Sequence, residues 1–104
     1  MMDWLVEITA QAEKDIMEIY QYIALSLGEA KIAWNQTERI REKINKLNSM
    51  PERFSVVDEE PWKSRGIRRV NVDNYAAFYI VDRELGEVRI IRVLYARRDF
   101  SSIL

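Results

Sequence analysis

Two pairs of neighbouring arginines, Arg68–Arg69 and Arg97–Arg98, together with Lys63 and Tyr95, are the residues of this sequence best suited to chemistry. A guanidinium stays protonated and offers a planar fork of donors. Arginines gathered by a fold can therefore bind a phosphodiester or carboxylate and stabilise charge that develops on it. There is no histidine, which removes the usual general acid/base, the Ser/His and Cys/His nucleophile pairs and the commonest zinc sites. There is no cysteine either, so disulfides and thiolate metal sites are excluded. The glycines stand apart at 28, 66 and 86 and form no phosphate loop. Any reaction would rest on Arg, Lys, Tyr, Asp or Glu, and no cofactor or metal is expected.

Each candidate also has a plainer reading. Arg68 and Arg69 are neighbours on an expected strand and point to opposite faces, so at least one can be a solvated side chain lying over the sheet. Arg92 sits inside an apolar run, where it needs a carboxylate partner or a sheet margin. Tyr75, Phe78 and Tyr79 fit core or cross-strand pairing better than a base-stacking platform. Asp99 can cap the closing "FSSIL" or tie down Arg97. The acidic run Asp58, Glu59 and Glu60 reads as a solvated loop, because three consecutive side chains do not readily face one cation.

The elements that must position these residues follow from periodicity. "WLVEI" alternates Trp4, Val6 and Ile8 against Leu5 and Glu7, as a short strand does. Thr9 then stands as an N-cap before a helix whose stripe is Ala12, Ile16, Ile19, Tyr20, Ile23 and Leu27. Gly28 breaks it. A second helix carries Ala33, Thr37, Ile40, Ile44 and Leu47 until Pro51 forbids continuation, and the short link makes an antiparallel helical hairpin. From Pro51 to Gly66 the pattern is irregular. Three strands follow, "IRRVNV", "YAAFYIVD" and "EVRIIRVLYA", joined by Asp73–Asn74 and by "RELG", which are hairpin connections. The expected class is α+β: an N-terminal strand and a two-helix hairpin packed on one face of an antiparallel sheet, the other face being left open.

At 104 residues and 48% hydrophobic content, the chain suits a single domain, 1–104, with one core. The opening "MMDWLVEIT" lacks the basic-then-apolar pattern of a secretory signal, and no run is long enough to span a bilayer; with no cysteine to demand oxidation, the expectation is a cytoplasmic protein. The formal net charge is only −1, but it is divided: residues 1–62 hold 7 basic against 12 acidic side chains, and residues 63–104 hold 9 against 5. Such asymmetry suggests a basic surface in the second half facing an anionic partner.

The succession "AEKDIMEIYQYI", "I..KINKL..MPERF", "GIRRV.V.NY..FYIVD" and "IIRVLYARRD" resembles the RelE/ParE superfamily of toxins from type II toxin–antitoxin systems over nearly the whole chain. The resemblance implies the same two-helix, antiparallel-sheet fold, a cognate antitoxin as partner, and one of two activities. RelE-like members are ribosome-dependent mRNA endoribonucleases that use basic residues of the middle strands and an arginine near the end of the last strand. Arg69, or Arg68, would match the first and Arg97 or Arg98 the second. Ribonuclease members commonly carry an arginine directly after the aromatic matching Tyr75, where this chain has Ala76, and a tyrosine close after the last arginine, where it has none. ParE-like members lack that set and act by binding DNA gyrase, and the chain looks closer to them. The implied binding residues are Lys63, Arg68, Arg69, Tyr95, Arg97 and Arg98, with Arg69, Arg97 and Arg98 catalytic only if the protein is a ribonuclease acting on the ribosome and mRNA.

Overall fold

The computed structural model describes residues 3–97. Arg98, Asp99 and "FSSIL" lie outside the described residues, and with them the expected Arg97–Asp99 tie. Strand β1 (Leu5–Ile8) leads into helix α1 (Ala10–Gln21), helix α2 (Ala30–Asn45), and strands β2 (Arg68–Val72), β3 (Tyr75–Asp82) and β4 (Glu87–Tyr95). The sheet order is β1-β4-β3-β2. The three later strands form the expected antiparallel meander, but β1 lies parallel to β4, so the sheet is mixed. A parallel pair cannot be joined by a tight turn, and here the two helices, the segment after them and strands β2 and β3 all lie between β1 and β4.

The helices start and stop where their sequence requires. The Thr9 hydroxyl accepts from Ala12 N–H at 3.2 Å and donates to the Ile90 carbonyl at 2.7 Å, so a single side chain caps α1 and fastens it to β4. Beyond Gln21, α1 widens into a π turn over Tyr22–Ser26, closed by Leu27 N–H on the Tyr22 carbonyl at 3.2 Å. The wider turn shifts the phase of the stripe. Ile23 therefore stays buried while Leu27, expected on the same stripe, stands largely in solvent at 55% exposure. Gly28 follows at φ +69°, which ends the helical run.

Along α2 every expected stripe residue, Ala33, Thr37, Ile40, Ile44 and Leu47, is buried. They close over Val70, Val72, Ala77, Tyr79, Val88, Ile90 and Val93 of the sheet, together with Ala12 and Ile16 of α1. This is the main core. The opposite face of the sheet is not open as expected. The segment between α2 and β2 folds across it, and Val57, Trp62 and Ile67 pack on Ala76, Phe78 and Leu94. A face carrying "A76, F78, I80" on β3 is too apolar to leave in water, and the long irregular segment before β2 is what covers it.

Candidate functional site

The strap across the second face is held by its own backbone. Val56 bridges to Arg68, Val57 N–H donates to the Ile67 carbonyl at 2.8 Å, and Arg69 N–H donates to the Ser55 carbonyl at 3.2 Å. Between them the chain coils tightly, with Gly66 at φ +70°. The acidic run serves this turn: Asp58 pairs with Lys63 at 3.3 Å, and a Glu60 oxygen accepts from Ser64 N–H at 2.7 Å. Among the described residues no group of acidic side chains is arranged to hold a metal ion.

Arg69 lies at the margin of this strap-covered face. Its guanidinium stands 5.6 Å from the centre of the Phe78 ring, and it donates to Asn71 Oδ1 at 3.0 Å and to the Ala96 carbonyl at 3.2 Å. The last of these brings it to the end of β4, next to Arg97, which is exposed. Of the expected cluster, then, Arg69 reaches the backbone one residue before Arg97. Arg68 goes elsewhere: it pairs in register with Tyr79, and its guanidinium donates to the carbonyls of Glu52 at 3.1 Å and Phe54 at 2.6 Å. Lys63 sits out on the strap. Tyr95 is opposite Tyr75, the two rings meeting edge-on with centroids 5.9 Å apart, beside α1 rather than beside the arginines.

Several arginines and their carboxylate partners are clasped together. Arg83 and Arg68 share Glu52, and the Arg83 hydrogen bond holds the Glu52 carboxyl below its ordinary range. Arg39 and Gln36 of α2 both reach Asp73 in the β2–β3 turn, at 2.8 and 3.0 Å, and hold its carboxyl down in the same way. Arg92, expected to need a carboxylate, has Asp15: Nε and Nη2 donate to its two oxygens at 2.8 and 2.9 Å, and the Val93 backbone N–H donates at 2.9 Å. The same Asp15 hydrogen bond raises the Arg92 pKa. Asp15 was not singled out by sequence, although an acid three residues after Ala12 and directly before Ile16 stands inside the buried stripe of α1.

Among the described residues, no group suited to proton transfer near neutrality accompanies Arg69 and Arg97. Tyr79 is buried, donates to the Pro51 carbonyl at 2.6 Å and is pushed up to about 12 by desolvation. Tyr75 is pushed up too, by burial first and then by Tyr95 and Tyr22. Position 76, where an arginine would mark a ribonuclease, is an alanine with 0% exposure beneath the strap. The arrangement can bind anionic groups at its margin.

Residues 6–100 match the family described as ParE toxin of type II toxin-antitoxin system, parDE. Three solved structures share the fold. The chromosomal ParDE toxin–antitoxin system from P. aeruginosa aligns at a TM-score of 0.73 and 20% identity, covering 90% of this chain and 97% of that one. The RelBE2 complex from Mycobacterium tuberculosis aligns at 0.62 and 20% identity, covering 91% and 93%. An arginine-substituted RelE toxin of E. coli in the free state aligns at 0.64 and 16% identity, covering 92% and 86%. No curated protein sequence matches.

Proposed function

The chain belongs to the ParE toxin family of type II toxin–antitoxin systems, and from that premise we propose that it inhibits growth by binding a target such as DNA gyrase rather than by cleaving mRNA. The observation that carries this reading is the strap. Ala76 and Phe78 of the middle strand are 0% and 1% exposed beneath Val57, Trp62 and Ile67, so the face on which middle-strand cations would meet RNA is filled by the protein itself. Cleavage also needs a group that can exchange a proton near neutral pH, and the described residues around Arg69 and Arg97 supply none. Binding needs only exposed cations and shape.

The partner that silences the toxin is a cognate antitoxin, in keeping with the two neighbours solved as toxin–antitoxin systems. Its acidic segment docks along the margin formed by Arg69 and Arg97, with Lys63 on the strap above and Arg98 following in sequence. Arg68, turned to the other side of β2 and held by the Glu52 and Phe54 carbonyls, takes no part in that margin. A segment that orders only on binding can cover such a long margin and still be removed.

Purified chain added to gyrase should inhibit supercoiling or trap cleaved DNA, and should leave mRNA intact on programmed ribosomes. Expression alone should arrest bacterial growth, with rescue by the partner encoded beside it. Ribosome-dependent cuts with gyrase unaffected would reverse the assignment to the RelE-like alternative.

A further inference from the structure

A cleft of about 510 Å³ lies between α1 and the last turn of β4, on the side of the molecule away from the strap. Its walls include Tyr22, Tyr75 and Tyr95, with Glu18 at the rim and Asp15 at the base. Among the described residues, no lysine or arginine lines it. Asp15 is engaged by Arg92, whose guanidinium also feels the Glu18 charge, so two carboxylates face the site against the one guanidinium behind them. Tyr22 and Tyr95 are 57% and 45% exposed, so their rings and hydroxyls are available to an incoming group.

The strand beside the cleft is also incomplete. Strand β1 pairs with β4 only as far as Ile90. Beyond it, Val93 N–H points away from β3 and is met by Asp15, while Ala96 N–H points toward β3 and meets the Asn74 carbonyl at 2.8 Å. By the alternation of a strand, Tyr95 shares the outward orientation of Val93 and presents its N–H and C=O to the cleft. A short extended peptide can therefore lie along this edge.

We propose that the cleft is an anchor site for a lysine or arginine side chain carried on an extended segment of a partner protein, the cation seated among Tyr22, Tyr75 and Tyr95 with Glu18 as counter-ion. Aromatic faces and phenol oxygens attract a cation, and a carboxylate at the rim selects it over an acid or an amide. Under the toxin reading that partner is the antitoxin, which would then carry acidic residues for the Arg69–Arg97 margin and a basic one for this cleft. The second site rests on that reading only for the partner's identity.

The test uses the full chain and blocked five-residue peptides, Ala-Val-X-Val-Ala, with X arginine, norleucine or glutamate, followed by NMR. Saturable shifts of the Leu94 and Tyr95 amides and of the tyrosine rings are expected with arginine, with affinity lower by about tenfold for norleucine and no saturation for glutamate. Glu18→Lys should lower arginine-peptide affinity by about tenfold or more with an unchanged melting temperature, because Glu18 is exposed. Equal binding of norleucine and arginine, shifts gathered at Arg69 and Arg97, or no saturable shift with any peptide would overturn the site. Loss of gyrase inhibition with this peptide selectivity intact would instead count against the toxin reading alone.

Discussion

The two faces of the sheet are closed by different materials. One is covered by two regular helices whose aliphatic side chains, Ile16, Ile40, Ile44 and Leu47, are at most 1% exposed, and its margins are fastened by carboxylate–guanidinium clasps such as Asp15–Arg92 and Asp73–Arg39. The other is covered by a single irregular strap that buries Val57, Trp62 and Ile67. On the first face the Arg39 and Arg92 guanidiniums are held by carboxylates. On the second the exposed Arg97 stands at the margin, beside Arg69. If the strap-side margin binds the partner's acidic segment, that contact lies on the opposite side of the sheet from the helix-covered core, and changes in one need not disturb the other.

The sharpest way to break this comparison is to remove Asp15. Its carboxylate accepts four hydrogen bonds, two from Arg92, one from the Val93 backbone and one from the Gln11 side chain. Asp15→Ala leaves a guanidinium and a backbone N–H without that partner and should cost about 3 kcal/mol or more. Urea denaturation should show a lower midpoint at unchanged slope. The double variant Asp15→Leu with Arg92→Met should recover most of the loss. No recovery would mean that the clasp does more than neutralise itself.

A pair of truncations compares the two coverings directly. Ile40→Ala, in the helix-covered core, should lower global stability by about 2–5 kcal/mol. Trp62→Ala should cost less, about 1–3 kcal/mol, because the strap can open without unfolding the helices and sheet. Hydrogen exchange should then rise at Val57 and Ile67 while the α2 amides remain protected. Equal losses with uniform exchange would make the strap part of one cooperative core.

How much of this was legible in the sequence follows from the same contrast. The helical stripes, the Thr9 cap and the three hairpin strands were readable because each is a local pattern with a fixed period. The strap was not, since its pairing of Val57 with Ile67 and its packing of Trp62 on Phe78 have no period; only a tryptophan between flanking aliphatics hinted that the loop was not solvated. The parallel pairing of β1 depends on the crossover through the helices, which no local pattern encodes. The candidate cluster divided for a reason that was foreseen: Arg68 and Arg69 are adjacent on a strand, and adjacent residues face opposite ways. What could not be foreseen was which carboxylate or carbonyl each would meet.

Smaller effects should appear at the helix-side margins with pH. The Arg41 hydrogen bond holds the Glu13 carboxyl below its ordinary value, and Arg39 and then Gln36 do the same for Asp73. A carboxyl depressed in the folded state adds stability above its unfolded pKa, and that stability is lost as pH falls through the depressed value. Both groups are largely solvated, so each should contribute about 1 kcal/mol or less and weaken with salt. Glu13→Gln and Asp73→Asn should flatten the fall in melting temperature between about pH 5 and about pH 2. An unchanged acid limb in both variants would show that these clasps add nothing.

The smallest effect on stability is expected at Arg97, and there the comparison is sharpest. Arg97 is exposed and, among the described residues, makes no hydrogen bond or ion pair, so Arg97→Ala removes little that the folded state uses and should shift stability by less than about 0.5 kcal/mol. Arg69→Ala should cost more, since it loses the Asn71 and Ala96 acceptors and the Phe78 ring. If the strap-side margin is the binding surface, both variants should nonetheless lose toxicity or antitoxin affinity, and for Arg97 that loss cannot be assigned to unfolding. Charge should matter more than bulk: Arg97→Lys should retain part of the activity and Arg97→Gln little, because a carboxylate partner is met by the cation first and by the planar fork second. Thermal melts beside growth assays and antitoxin titrations separate the outcomes. An Arg97→Ala protein that is folded, fully toxic and bound normally by its antitoxin would move the binding surface away from this margin, leaving the tyrosine-lined cleft beside α1 as the place to look for it.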